Sequence, residues 1–433
     1  EVYQTNVEAN SLELDAKNAR QIDGVAAATG DDPKIGISAS VVVNVLTQTT
    51  EARIAGSGAT PMQLDIAESV DLLAENTSDA GITVGFSGAG SAFALGITGG
   101  AQVDRRTTTG AVEYVTGDVD GIRSRARHTG VADITLTSGL ASNNEGDEDG
   151  GFAVNIPISI LTTNWETRAV IDDTNLNSSG GVEVDALEDA QVKNRQGAVT
   201  ASGNIAGSVG VALTNYNADT VAEITDSNLS GVNVVAQATT QSLLRAVAVR
   251  DGETKYGIDV ITAILKGNGE TRAQIDDSAV TASKIVITAL DETRHDVFAN
   301  GYSENSGAGA SGGVGVDIYK RDLIARLSDG SATTTANIEL EARSGIKATN
   351  VILGHNGGGT DLFDESSSIT GLANIAWTTD ARDVIAEISR VTVDAGGSVL
   401  VDARREDTFL AIEAGANRSR EGGLTGTVRT GGG

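Results

Sequence analysis

An alternating pentad that closes on alanine recurs eight times, and it limits the fold of this chain more than any other feature. It reads LELDA at 12–16, VDLLA at 70–74, IRSRA at 122–126 and VEVDA at 182–186. It continues as VNVVA at 232–236, IVITA at 285–289, IELEA at 338–342 and VLVDA at 399–403. The closing residues are Ala16, Ala74, Ala126, Ala186, Ala236, Ala289, Ala342 and Ala403, spaced by 58, 52, 60, 50, 53, 53 and 61. A soft period of this size marks a stacked array.

Three further elements keep the same beat. An Ala-x-Ile phrase is written ETRAVIDD at 166–173, DTVAEITD at 219–226 and ETRAQIDD at 270–277, with shorter copies EARI at 51–54, IARL at 324–327 and IAEI at 385–388. The copy AVEY at 111–114 is degenerate. A glycine-led alternation precedes it, as in IGISASVVVNV at 35–45, FAVNIPISI at 152–160, VGVAL at 209–213 and VGVDI at 314–318. A variable stretch follows the closing alanine, for example RAVAVRDG at 245–252. Alternation over five to nine residues is the strand signal, with one face buried, and Gly/Asn/Asp/Ser clusters between elements are turns. No 3.6-residue periodicity is sustained anywhere.

These elements predict an all-β chain, a β-solenoid (β-helix) of about eight degenerate repeats, each of four or five short strands. The approximate repeats are 1–50, 51–110, 111–165, 166–218, 219–269, 270–321, 322–382 and 383–433. One repeat is too short for an immunoglobulin-type sandwich of ~100 residues. Stacking would place like on like along the axis, Ala on Ala and Val or Ile on Val or Ile, at the ~4.8 Å strand spacing. Composition agrees: aromatics are 3% and the apolar stock is mostly Ala, Val and Ile, which suits thin β layers. A repeat could be one wide coil, giving a rod of about 40 Å, or two coils of roughly 27 residues, giving about 75 Å. The strand phrases fall into two clumps per repeat, which favours two.

A net charge of -28 argues against nucleic acid as a partner, because phosphate binding needs a basic face. There is no cysteine, hence no disulfide and no thiolate chemistry. No apolar run reaches the ~20 residues of a membrane helix. The first and last residues suggest a window cut from something longer.

Chemical candidates are few. The pairs Asp172/Asp173, Asp276/Asp277 and Asp31/Asp32 could be acid/base or calcium carboxylates. Their place in the repeat favours polar turn residues. The loop NNEGDEDGG at 143–151 offers Glu145, Asp147, Glu148 and Asp149 as weak calcium ligands, with Ca2+ as the one cofactor to consider. It and the segment 353–368 are the longest insertions and the places to look for ligand contact. His128, His295 and His355 fall in different repeats without metal-ligand spacing. Trp165 and Trp377 each precede an Ala-x-Ile phrase, so packing is favoured over a sugar platform.

With these drifting repeats, the chain over residues 8–420 resembles the giant repetitive surface proteins of bacteria, the filamentous adhesin or large-exoprotein class. That class includes leukotoxin-type filamentous adhesins and haemagglutinin-like exoproteins. The resemblance implies a secreted, extracellular or cell-surface β-helical fibre or stalk, used in cell adhesion, with no enzyme activity. Its partners would be itself, end to end or side by side, or a host-cell or matrix ligand. A calcium-stiffened surface layer or sheath is the alternative. A polysaccharide-active β-helix enzyme is the weaker one, since Asp276, Asp277 and His355 only faintly resemble the pectin hydrolases and lie more than a repeat apart.

Overall fold

The computed structural model of the chain describes residues 1–433 except 4–5, 33, 91, 143–150, 359–368, 419–421 and 433. The protein is all-β: among the described residues there is no helix, so no helix is long and apolar enough to cross a membrane. The ladders between strands are parallel. Parallel partners need a long connection between them. Here that connection is the rest of a repeat.

The sequence elements merge into two long runs per repeat. The glycine-led alternation and the Ala-x-Ile phrase form one outbound run: Ile35–Ala55, Phe93–Glu113, Phe152–Asp172 and Ile205–Thr225, each of 21 residues. The next two outbound runs, 256–276 and 308–328, lie inside longer strands, Asn228–Asp291 and Arg294–Thr334. The alanine pentad and the variable stretch form the return run, as in Val115–Ser142 and Gly181–Ser202. The expectation of four or five short strands is therefore corrected to fewer, longer ones. Inside the runs Gly117 and Gly269 take positive φ of 150° and 124°, and the corners reverse the chain.

Along the described ladders a residue pairs with its counterpart a whole repeat away. Val112 lies beside Ile54 and Ile171, and Ile171 beside Ile224. Two coils per repeat would have put partners roughly 27 residues apart. The observed separations, for example 53 for Thr225 and Asp172 and 61 for Arg390 and Asp329, correct that expectation to one. The alanine column also shifts. Ala16, Ala74, Ala126 and Ala186 stack as expected, but Ala186 meets Ala238 and not Ala236. The pentad VNVVA was read two residues early, because its own alanine is followed by a second at the same parity. Ala342 and Ala403 again stack in order.

The corner between runs is built by one residue with positive φ. It is Tyr114, Asp173, Asp226, Asp277, Asp329 and Arg390 in six successive repeats. Asp tolerates this left-handed conformation better than most residues. The residue before it ties the repeats together: Thr225 donates to Asp172 at 2.5 Å, and Ser328 donates to Asp276. The next hydroxyl bonds back to the corner, with Thr174, Ser227 and Ser278 donating to the carbonyls of Asp172, Thr225 and Asp276 at 2.6–2.7 Å.

The outbound and return runs face each other across a thin interior of two characters. Near the corner the interior is a continuous apolar cluster, with Ile54, Leu64, Leu72, Val112, Ile122 and Ile171 fully buried. In the far half the outbound run is inverted. Its inward positions are small or polar, such as Gly36, Ser38 and Ser40, then Gly96, Thr98 and Gly100, then Asn155 and Ser159. Its Ile and Val point out. The expectation of buried Val and Ile ladders fails here because the return run already fills the interior. A Cβ on Gly96 would stand 2.5 Å from Phe86, and one on Gly100 2.9 Å from Leu136. Only small residues fit opposite those side chains.

Candidate functional site

Between the two halves of the interior runs a buried polar seam. Its outbound wall carries five threonines stacked in register, Thr50, Thr108, Thr167, Thr220 and Thr271, all buried. Its return wall stacks His128, Glu188 and Thr240, with Asp291 and Ser344 paired further along. Alternation explains why these side chains point inward. Each replaces an apolar residue at a core position, so each needs a partner from the facing run or the next repeat.

Most of those partners are present, although the buried hydroxyls of Thr50 and Thr108 have none. Arg106 and Asp104 form a two-bond ion pair at 2.6 and 2.9 Å with both side chains fully buried. Arg106 also donates to the Ser78 carbonyl and lies 3.3 Å from His128 Nε2. His128 Nδ1 is 3.0 Å from both carboxylate oxygens of Glu188, which accepts from Thr167 at 2.7 Å. Trp165 packs edge-on to His128 and Tyr216, with the Arg106 guanidinium 5.0 Å from its ring centre.

Further along the seam Arg321 donates to Thr271, Thr220 and Thr240 at 3.0, 3.0 and 2.7 Å. Its reach to Thr220 spans 101 positions of sequence. Asp291 lies 3.7 Å from Arg321 and accepts from Tyr319 at 2.9 Å and Thr293 at 2.6 Å. His295 is 3.1 Å from Asp317 and packs edge-on to Tyr319. Arg382 donates to Asp380, Asp407 and Ser344.

Burial disfavours charge on Arg321, but Tyr216, Tyr319, Asp291 and Glu188 outweigh it and hold the guanidinium above its ordinary value. Burial first, then the neighbouring carboxylates, pushes the Tyr216 and Tyr319 phenols up. Away from the seam, in the far half, Arg250 and Asp259 form a second buried ion pair at 2.7 Å. Burial lowers Arg250 to about 10 and raises Asp259 to about 6, despite their mutual attraction. This pair and the seam are closed to solvent, so they act on the fold and on register.

The structure places the sequence candidates apart from one another. Asp172/Asp173 and Asp276/Asp277 are corner residues. The corner carboxylates crowd along the stack: burial, then Asp277, Asp172 and Asp173, raise Asp226. Around Asp276 a shallow cleft holds charges that are already paired, Arg390 with Asp329 and Arg326 with Glu387. His355 lies on a return run, stacked on Tyr302 with ring centres 4.9 Å apart, whereas Asp276 and Asp277 stand at a corner. Among the described residues no three His, Cys, Asp or Glu side chains group as metal ligands. Glu145, Asp147, Glu148 and Asp149 lie outside the described residues, as does most of the loop 353–368. Asp31 pairs with Ala89 in the ladder. Trp165 belongs to the seam, while Trp377 is half-exposed on the outer surface and donates to Thr379.

Sequence reasoning missed the seam. Its signal was available as charged residues at inward parity within strands, such as D-R-R at 104–106 and Y-K-R at 319–321. It also missed the outer face of the far half. The outward positions aligned with 35, 37, 39, 41 and 43 carry Ile, Val, Leu, Phe, Ala or Gly through successive repeats, with Tyr256, Thr262 and Trp377 as the exceptions. No charged side chain occurs among them. On the corner side of this face the outward column turns acidic, with Glu166, Asp219, Glu270 and Asp322 in register.

Comparison of the chain with family models, with curated proteins and with solved structures finds no match.

Proposed function

We propose that this chain is a structural β-solenoid of about eight degenerate repeats, a segment of a fibre, stalk or filament at a bacterial surface, used in adhesion or in cell–cell or matrix attachment. The supporting observation is the whole-repeat parallel pairing that carries one corner column from Val2 through Ile54, Val112, Ile171, Ile224, Ile275 and Leu327 to Ile388. In such an array each repeat is stabilised by its two neighbours, so length can be added without redesigning a core. Each repeat advances the stack by one strand spacing of ~4.8 Å, and eight give about 40 Å. The reading assigns the aspartate pairs to corners and makes no catalytic assignment. The filamentous-adhesin resemblance adds extracellular attachment as the use.

The test is display of the chain on a non-adherent bacterium, scored for attachment to host cells and to immobilised matrix. Attachment above the vector control supports the adhesive use. Attachment equal to the control removes it and leaves a purely structural fibre, for which a ~4.8 Å axial spacing in cryo electron micrographs is the remaining requirement.

A further inference from the structure

We infer that the apolar outer face of the far half is a pairing surface for a second copy of this chain. Ile158, Ile160 and Val209 stand 40–50% exposed near its middle, and Ile258 is 63% exposed. Burial of these residues is not required by the fold, because the inward positions of the same run are filled by small side chains against the return run.

Size is the first argument. Nine residues of strand by seven repeats measure about 30 by 34 Å, hence roughly 1,000 Å². A soluble monomer usually leaves at most ~300–600 Å² of contiguous apolar surface exposed. A standard stable interface takes about 800 Å² from each partner. The face exceeds the first figure and meets the second.

Shape and size name the occupant. A broad parallel sheet offers a low-relief surface, and a second identical sheet can pack on it about 10 Å away. The border toward the corner is mixed in charge, with Lys266, then Arg105 and Lys320, and only then the acidic column through Asp219, so the size of the face and not its rim names a second copy as the occupant. The acidic column selects the orientation. A two-fold axis running along the stack lays apolar face on apolar face and sends the two acidic halves to opposite sides. The alternative axis, along the strands, would set acidic column against acidic column. With the axis along the stack, rotation preserves height, so Val209 lies opposite the second copy's Val209.

This inference does not rest on adhesion. A chain that pairs but fails the attachment assay would keep it.

The experiment is sedimentation equilibrium of the full 433-residue chain, with the variants Ile158→Lys/Val209→Lys on the face and Val199→Lys on the opposite, return surface. All three positions are exposed, so the fold is kept, and circular dichroism checks this. The wild type and Val199→Lys are expected to be dimers. The double lysine variant is expected to dissociate at least about 100-fold more weakly bound, because it buries unpaired charge in the interface. The chain has no cysteine, so Val209→Cys is expected to couple to itself through a short bis-maleimide, while Asp219→Cys does not. A wild type that stays monomeric at 100-fold above micromolar concentration, on the order of 10⁻⁴ M, overturns the inference. So does a dimer that survives the double lysine change, which would locate assembly on the sheet edges. Monomers that instead float with phosphatidylcholine vesicles overturn it in favour of lipid.

Discussion

The corner half and the far half of this molecule use the same strands, the same register and nearly the same alternation, yet they are turned inside out relative to one another. Near the corner Ile and Val point in and Glu, Asp, Thr and Arg point out. Beyond the seam the outbound run points Gly, Ser, Ala and Asn in and most of its Ile and Val out, Ile261 being buried, while the return run keeps its Ile, Val and Leu inside. Alternation fixes that one face of a strand differs from the other; it does not say which face is inside. The size of the side chains on the facing run decides that. Where Phe86, Ile134 and Leu136 occupy the interior, the outbound run has room only for glycine and its small neighbours.

The largest expected effect comes from the seam that separates the halves. Arg321→Met should destabilise the chain by about 3–5 kcal/mol, since it leaves Asp291 buried without its cation and three threonine hydroxyls without their donor. Urea unfolding measures this. A cost under about 1 kcal/mol would show that the seam tolerates an unpaired carboxylate. Next, paired truncations break the comparison directly. Ile224→Ala, in the corner core, should cost about 2–4 kcal/mol. Val209→Ala, on the outer face of the far half, should cost about 0.5 kcal/mol or less in the monomer. Equal costs would mean that both faces are buried.

A smaller effect separates the halves by pH. Burial holds the Asp259 carboxyl at about 6, above the unfolded value of about 3.9. A raised folded pKa stabilises fully below the unfolded value and is lost as pH rises through the folded one, here between about 4 and 6. Asp259→Asn stays neutral throughout. It should therefore be more stable than the wild type at pH 7.5, by up to about 3 kcal/mol, with the gap closing as pH falls through 5 toward 4. A gap independent of pH would show that the carboxyl ionises normally in the fold. A further effect of modest size probes how thin the far half is. Gly96→Val should cost about 1–3 kcal/mol through overpacking on Phe86, and Phe86→Leu should restore part of it. A cost unchanged by Phe86→Leu would place the strain elsewhere.

Much of the fold was legible in the sequence. The period gave the whole-repeat spacing, and the alternation gave strand. Five of the seven alanine steps need only counting; the two that meet at Ala236 fail because a second alanine follows two residues later, at the same parity, and only the neighbouring repeats select between them. The pairs Asp172/Asp173 and Asp276/Asp277 were legible as turn residues, because most copies of the phrase lack one or both, whereas Asp31 lies in a strand ladder. One coil or two could not be read, since clumping of strand phrases follows equally from two runs on opposite sides of one coil. The seam and the apolar face were hidden for a common reason. Both depend on what stands across the interior, and a single strand's pattern carries no information about its facing partner.

The seam has one more consequence. Apart from the threonine column, its residues differ from repeat to repeat, whereas the alanine and isoleucine columns are nearly interchangeable. A repeat that skipped its neighbour during folding would find acceptable aliphatic contacts at the corner. It would also strand Arg321 away from Thr220 and Thr271, and His128 away from Glu188. The aliphatic columns thus supply adhesion between any two repeats, and the polar ones act as an address that admits only the correct neighbour, so that a chain of look-alike units assembles in the order in which it was written.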